Sequence, residues 1–309
     1  MNVKFFDSWG LEVGKEQEWM QLLDEELILR GTDRPVEDWF HSVFYCIAAS
    51  GHKVEDFDTT IIKKFINSKY NVAVILTKAD TVSVDEEKML KDAIENDVGQ
   101  PIPILAACSE EKMLRSGKSE LFGKKEIELQ VYNDFLDSII LRLPEHCVKV
   151  LEKRIDDWHE NQKKYIDENT GLWNFSDIKK KIETEYNSFF DYEFENQSTI
   201  KSKIEKTLKL YGNFVQSLNY PPERTNVVNR LPIEETKRWD INLVDIIAIP
   251  PTILIGIVLP ILGLRYLFFG TVMNKDEFKS DVNKLVTHLK KSLPKIQSEI
   301  EKALVELRK

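Results

Sequence analysis

Short, largely apolar blocks alternate with longer amphipathic stretches along the first 143 residues of the chain. The blocks are 3–6, 43–49, 72–77 and 102–108, and each has a length that suits a strand buried on both faces. Stretches of helical length separate and follow them. The pattern predicts strands and helices in alternation, which is the order of a doubly wound α/β domain with a parallel sheet.

The acidic residues between these blocks fit the starts of helices. A helix predicted to continue to about residue 69 carries Glu55, Asp56 and Asp58 in its first turn, where acids complement the helix dipole. The alternative for these three acids is a metal site. A second acid-rich helix is predicted over 85–96.

Helical periodicity continues beyond the predicted sheet. A helix is expected over 125–143, with Pro144 as its stop. Charged helical stretches then cover 144–169, 177–190 and 199–218. The apolar face of the helix predicted over 125–143 consists of Ile127, Val131, Phe135, Ile139 and Leu143.

The last third of the chain changes character. After a predicted helical domain, 144–220, a polar linker spans 221–245 and an apolar segment spans 246–274. Residues 246–264 include no charged side chain. The length of this uncharged run is close to the minimum for a membrane-spanning helix. We expect membrane contact through 246–273. The alternative is a pair of core helices buried against the helical domain.

The final residues, 275–309, predict an amphipathic helix that Pro294 kinks. Its apolar positions recur at alternating steps of four and three residues, which is the spacing of a coiled-coil seam. A coiled coil within the chain or between chains, as in a homo-oligomer, and simple packing on the preceding helices both fit. The apolar positions are Phe278, Val282, Leu285, Leu289, Leu293, Ile296, Ile300, Leu304 and Leu307.

Composition narrows the class of protein. Apolar residues make up 42% and charged residues 31% of the 309 residues, which is the balance of a globular chain. A net charge of −9 argues against a general nucleic-acid binder. Three cysteines without metal-ligand spacing favour a reducing compartment. With no signal peptide at the start, we expect a cytoplasmic protein, peripheral or integral at a membrane if the apolar segment inserts.

The candidate chemistry lies at the end of the 72–77 block, where Thr77, Lys78, Ala79 and Asp80 follow the predicted strand. Ligands bind at the carboxyl ends of strands in open parallel sheets. The Asp80 carboxylate can accept two N–H groups from a ring with an imino and an amino donor, as in guanine. The apolar stem of Lys78 can lie along such a base.

This tetrad resembles the guanine-specificity motif, Asn/Thr-Lys-x-Asp, of P-loop GTPases. Two further strand ends resemble motifs of the same family. Asp7 and Gly10 match the Asp-x-x-Gly switch motif, and Ala106-Ala107 resembles the last, Ser-Ala-Lys type motif. The set resembles a G domain of the Ras-like and translation-factor class, nearer the large bacterial and fungal G proteins with helical C-terminal regions.

The resemblance implies a guanine-nucleotide switch or GTPase that takes GTP or GDP with Mg²⁺. It assigns selection of guanine to Thr77, Lys78 and Asp80, and the Mg²⁺ hydration shell to Asp7. Gly10 would sense the γ-phosphate. A backbone N–H of the Ala106-Ala107 loop would meet guanine O6.

Two departures limit these expectations. No Gly-x-x-x-x-Gly-Lys-Ser/Thr phosphate loop occurs, and residues 115–119, its nearest imitation, predict a surface loop. Leu11 stands where many members carry the glutamine that orients water. We therefore name no catalytic residue. We expect a G domain that is truncated at its N-terminus, so that the phosphate loop is missing, and we expect GTP hydrolysis only in a longer form of the protein.

Two other functions fit the sequence. The first is a non-catalytic interaction or membrane-scaffold protein that keeps a degenerate G domain as a fold only. The second is a pore-forming protein centred on 246–273.

Overall fold

The computed structural model describes most of the chain, and its backbone divides into two compact units. We call Ser8–Arg30 with Asp38–Arg142 the sheet unit, and Met1–Asp7, Gly31–Glu37 and Leu143–Lys309 the helical unit. The residues described are 4–8, 14–51, 53–111, 113–114, 117–118, 120–170, 175–217 and 274–306.

The sheet unit is built on a three-stranded parallel sheet of order β1-β2-β3. The central strand, β2, is buried along Val72–Leu76 because it is covered on both faces, as its unbroken apolar run predicts. The elements of this unit are α1 (Glu16–Leu29), β1 (Val43–Ala48), α2 (Asp56–Asn67), β2 (Val72–Thr77), α3 (Val84–Val98), β3 (Ile104–Ala106) and the start of α4 (Lys124–Asn169). The predicted partial doubly wound α/β fold followed by a helical region is confirmed.

One face of the sheet carries the main apolar core of this unit. Val74 and Leu76 of β2 are fully buried there, together with Ile62 of α2 and Ile94 of α3. Partly buried side chains of α1, including Trp19, pack against the same cluster. Helices α1, α2 and α3 thus hold the sheet from this face and fix where its strands end.

The acids predicted at the start of α2 do cap that helix. The Glu55 side chain accepts the backbone N–H of Asp58, and the Asp58 carboxylate accepts the Glu55 N–H at 2.8 Å, which is a capping box. Helix α3 begins with the same device between Ser83 and Glu86. The helix interpretation of Glu55, Asp56 and Asp58 is confirmed.

The strand predicted over 3–6 is wrong for its described residues. Residues 4–6 have no regular structure, and the side chains of Phe5 and Phe6 are 78% and 54% exposed. A strand forms only where a neighbour satisfies its backbone N–H and C=O groups. In the described part of the chain, residues 4–6 belong to neither sheet.

Part of the loop predicted over 115–119 is also regular. Strands β4 (Met113–Leu114) and β5 (Gly117–Lys118) pair in antiparallel fashion and form a short hairpin. The hairpin lies between the end of β3 and the start of α4.

Helix α4 does not stop before Pro144 but runs through it for 46 residues, so the predicted stop is wrong. An interior proline removes one intrahelical hydrogen bond and costs about 3 kcal/mol. Leu143, Cys147 and Leu151 flank it and are fully buried. Burying such side chains gives about 2 kcal/mol each, which outweighs the proline.

Within the described residues, the helical unit contains the remainder of α4 and three further helices. They are α5 (Phe175–Phe190), α6 (Ser198–Ser217) and α7 (Lys275–Glu306), with a π-helical turn at Asp191–Glu195 between the first two. Aromatic side chains fill part of this core. The Trp158 ring of α4 lies 5.7 Å from that of Tyr186 on α5, and the Phe190 and Phe194 rings stack at 5.3 Å.

Helix α7 confirms the predicted amphipathic helix and continues through Pro294. Lys290 bonds to Glu152 and Asp156 of α4, at 3.2 and 2.8 Å, which ties the two helices together. The predicted apolar positions from 278 to 304 are all at most 5% exposed. Because these apolar positions are buried within the helical unit, packing of α7 on the preceding helices accounts for their spacing.

The predicted linker, 221–245, and the apolar segment up to residue 273 lie outside the described residues. Among the helices that the structure describes, none is long and apolar enough to cross a membrane.

Candidate functional site

The tetrad lies where the sequence predicts it, at the carboxyl end of β2. Thr77 closes the strand, and its hydroxyl donates to the Ile47 carbonyl at 3.4 Å. Lys78 adopts a left-handed backbone conformation, with φ 55° and ψ 34°. A non-glycine residue in this region costs on the order of 1 kcal/mol and is often found at functional sites.

A short turn follows Lys78 and places Asp80. Residues Ala79–Thr81 form one turn of 3₁₀ helix. The Thr81 hydroxyl and backbone N–H both donate to the Lys78 carbonyl, at 2.7 and 3.1 Å. Ala79 is buried, whereas the Lys78 side chain is exposed. The turn therefore holds the Asp80 side chain next to the strand end while Lys78 faces solvent.

The structure brings the second motif, Ala106-Ala107, against the tetrad. Strand β3 lies beside β2, and the Ala107 N–H donates to the Leu76 carbonyl at 2.9 Å. The Ala79 N–H donates to the Ala107 carbonyl at 3.2 Å. The N–H groups of Ala107 and Cys108 therefore both have acceptors within the protein, because the Cys108 N–H donates to the Phe122 carbonyl at 3.1 Å.

The Asp80 carboxylate is the group in this site with unused bonding capacity. Its Oδ2 atom is buried, and no hydrogen-bond donor among the described residues reaches it. A buried acceptor without a partner costs about 1–3 kcal/mol, and the great majority of such atoms in proteins are satisfied. A ligand with two adjacent N–H donors would satisfy it.

The segment Leu121–Gly123 forms a further wall of this site, which the sequence interpretation missed. Phe122 and Cys108 exchange backbone hydrogen bonds of 3.1 and 3.2 Å. Gly123 follows with φ +87° and is buried. A glycine directly before the first residue of α4 was the signal that could have indicated a close backbone approach.

Asp7 and Gly10 are the remaining predicted site residues. Asp7 is exposed, has no regular structure and belongs to the helical unit, whereas the tetrad belongs to the sheet unit. Gly10 lies outside the described residues. No group of three or more His, Cys, Asp and Glu side chains suited to a metal ion occurs in the described part of the chain. The roles given to Asp7 and Gly10 stay predictions.

A second polar cluster, also missed, occupies the opposite, amino edge of the sheet. Asp134 of α4 accepts the Ser42 hydroxyl and, at 2.6 Å, the Gln130 side-chain amide. The Asn71 amide donates to the Asp134 carbonyl at 2.7 Å. Burial raises the pKa of the Asp134 carboxyl to about 6, although the bonds from Ser42 and Gln130 oppose this shift.

The same cluster continues along α4. The Ser138 hydroxyl donates to the Phe135 carbonyl at 2.8 Å and lies 2.6 Å from Nδ1 of His41. The Arg142 guanidinium donates to the carbonyls of Phe40 and Arg30, at 2.9 and 3.1 Å. Polar residues spaced four apart on one face of a predicted helix were the signal for this cluster.

Residues 11–127 match the family model described as Septin. That family model describes a GTPase-type G domain of the P-loop NTPase class. The match covers less than half of the chain. The match supports the predicted G domain but not the Ras-like and translation-factor type, which is a correction. No curated protein and no solved structure matches the chain.

Proposed function

We propose that this chain binds guanine nucleotides and that its base site is formed by Thr77–Asp80 and the neighbouring 106–108 loop. The buried Oδ2 atom of Asp80, which no donor among the described residues reaches, is the observation that carries the proposal. The Septin match over 11–127 supports it independently, since that family model is a GTPase-type G domain.

Asp80 supplies the selectivity in this proposal. Guanine has an imino N1–H and an amino group on adjacent ring positions, and a carboxylate can accept both with its two oxygens. Adenine offers no such pair. Because the N–H groups of Ala107 and Cys108 already have acceptors, discrimination depends chiefly on this carboxylate. The exposed Lys78 stem is free to cover the base.

The proposal concerns the base half of a nucleotide site. The sequence has no Gly-x-x-x-x-Gly-Lys-Ser/Thr loop, whose amides and lysine would hold the phosphates. We therefore expect weak binding, and we name no residue that would catalyse hydrolysis. A bound nucleotide would bring Mg²⁺ with its phosphates, and Asp7 remains the predicted ligand.

Signalling to the helical region would pass through α4 in this proposal. The helix is unbroken from Lys124 to Asn169, with its first part in the sheet unit and the rest in the helical unit. A continuous helix can transmit a displacement at one end to the other. The membrane contact predicted for 246–273 would be a target of such a relay.

The test compares GDP with xanthosine diphosphate on the full chain, by ligand-observed NMR or calorimetry. Xanthine has a carbonyl where guanine has the amino group, so Asp80→Asn should reverse the preference. We expect the variant to lose at least about tenfold in affinity for GDP and to gain a similar factor for xanthosine diphosphate. Asp85→Asn, an exposed acid in the first turn of α3, is the matched control and should change neither affinity.

The rival function predicts another outcome. A degenerate G domain that serves only as a scaffold would bind neither nucleotide, in the wild type or in the variant. Equal affinity of the wild type for GDP and ADP would also contradict the proposal, because it would remove the role of Asp80.

A further inference from the structure

Gly123 makes an unusually close backbone approach to the 106–108 loop. A Cβ atom added to it would overlap the Ala106 carbonyl oxygen and lie 2.8 Å from both Cα and Cβ of Ala107. These neighbours are backbone atoms and one methyl group, so no flexible side chain can move aside. Any residue other than glycine at this position must displace the loop or the start of α4.

The loop that Gly123 touches is bonded directly to the tetrad. Ala107 accepts the Ala79 N–H at 3.2 Å and donates its own N–H to Leu76 at 2.9 Å. Its next residue, Cys108, is held by the two bonds to Phe122. One short path therefore leads from Gly123 through Ala107 and Ala79 to the adjacent Asp80.

We propose that Gly123 is a positioning residue of the base site, and this inference rests on the function proposed above. Its missing side chain lets Leu121–Gly123 close against the 106–108 loop. That contact fixes the Ala107 carbonyl, which fixes the turn at Ala79 and hence the direction of the Asp80 carboxylate. Gly123 itself would not touch the nucleotide.

The chain offers a matched control for the backbone conformation. Gly99, directly after α3, has φ +82°, and an added Cβ there would meet no atom of the described residues within 4 Å. Gly123 has φ +87°. Replacing either glycine by alanine imposes the same left-handed strain, of about 1 kcal/mol. The difference between the two variants isolates the contact with Ala106 and Ala107.

The experiment uses Gly123→Ala and Gly99→Ala in the full chain, with two measurements. The first is hydrogen exchange of the backbone amides in 77–81 without nucleotide. The second is the ratio of affinities for GDP and inosine diphosphate, which lacks the amino group of guanine. This ratio reports the hydrogen bond between the guanine amino group and Asp80. A general loss of stability would instead lower the affinity for both ligands equally.

We expect Gly123→Ala to speed exchange of the Ala79 amide at least about tenfold and to lower the affinity ratio towards one. Gly99→Ala should leave both measurements as in the wild type. Equal behaviour of the two variants would overturn the proposal. If wild-type chain binds no GDP, the proposed function fails, while the exchange measurement still decides whether Gly123 positions the turn.

A measurement on the wild type covers the case in which Gly123→Ala does not fold. If the path is one cooperative unit, the amides of Ala79, Ala107, Cys108 and Phe122 should open with the same free energy. Exchange at Cys108 and Phe122 that is more than about tenfold faster than at Ala79 and Ala107 would overturn the inference.

Discussion

An aspartate lies at each of the two edges of the parallel sheet, and the two aspartates differ in how many of their oxygens accept hydrogen bonds. At the carboxyl edge, Oδ2 of Asp80 is buried without a partner among the described residues. At the amino edge, both oxygens of Asp134 accept hydrogen bonds, from Gln130 and Ser42. A buried carboxyl group whose oxygens are both bonded holds its neighbours in place, whereas an unsatisfied one keeps its bonding capacity for a ligand.

The amino edge shows what the satisfied cluster does. Asp134, Ser138, Arg142 and His146 follow one another at four-residue spacing on α4, and all are at most 4% exposed. Their partners lie between the end of α1 and the start of β1: Ser42, His41, the carbonyls of Phe40 and Arg30, and the Thr32 carbonyl. Within the sheet unit, Asp134, Ser138 and Arg142 therefore hold the residues that lead into β1.

The largest effect on stability is expected for Arg142→Met. The Arg142 guanidinium lies 4.8 and 4.5 Å from the ring centres of Trp39 and Tyr70 and bonds to two carbonyls. Methionine fills the space but leaves those carbonyls without their donor. We expect a loss of about 3 kcal/mol in the free energy of unfolding, measured in urea. Lys124→Met, at the exposed start of the same helix, should change little, and an equal loss there would contradict this account.

The next effect depends on pH and concerns Asp134→Asn. Burial raises the pKa of Asp134 to about 6, so the folded state holds a proton that the unfolded chain releases near its ordinary pKa. This contribution to stability is complete below about pH 4 and is lost as the pH rises through about 6. In the variant the amide oxygen can accept from Gln130 and the amide N–H can donate to the Ser42 hydroxyl, but the side chain cannot ionise. From about pH 4 to pH 7, its stability relative to the wild type should increase by about 2 kcal/mol.

Urea unfolding at several pH values measures this difference for Asp134. Because burial is the main cause of the shift, the result should be nearly the same in low and high salt. A stability difference that stays constant across the pH range would show that Asp134 is not held in a desolvated site.

A smaller loss is expected for Ser138→Ala. The Ser138 hydroxyl donates to the Phe135 carbonyl and lies 2.6 Å from Nδ1 of His41, and in the tautomer with a proton on Nδ1 it is the acceptor in this contact. Removing the hydroxyl takes away this acceptor and should cost about 1 kcal/mol. Ser68→Ala, at the exposed end of α2, is the matched control for urea unfolding. Equal losses would show that the contact with His41 adds nothing.

The smallest effect on stability is expected at the carboxyl edge, for Asp80→Ala. Without nucleotide, no described donor is lost when the buried Oδ2 atom is removed. We expect a change within about 0.5 kcal/mol, or a gain of up to about 1 kcal/mol. Asp134→Ala, which removes the acceptor of Ser42 and Gln130, should be clearly destabilising below about pH 6 in the same urea experiment. A loss at Asp80 as large as that at Asp134 would end the contrast between the two edges.

Local sequence patterns were sufficient for the elements that depend on nearby residues. The apolar run of β2, Val72–Leu76, predicts a doubly covered strand because no polar side chain interrupts it. The acids at 55–58 predict the start of α2 because a capping box involves only four neighbouring residues. The tetrad predicts a ligand site because its position after β2 follows from the strand itself.

Tertiary packing decided the features that local patterns predicted wrongly. Pro144 remains inside α4 because buried neighbours such as Leu143 and Leu151 offset its missing hydrogen bond. Residues 4–6 have the composition of a strand but adopt no regular structure, because local composition does not decide which segment joins a sheet.

The sequence by itself determined the central strand, the helix starts and the position of Asp80. Only the tertiary structure decided that one oxygen of Asp80 has no partner among the described residues, whereas both oxygens of Asp134 are bonded, and that Gly123 closes against Ala107. The physical reason is that hydrogen-bond satisfaction and close packing depend on groups far apart in the chain. Asp134 and Ser42 are 92 residues apart, and no local pattern pairs them.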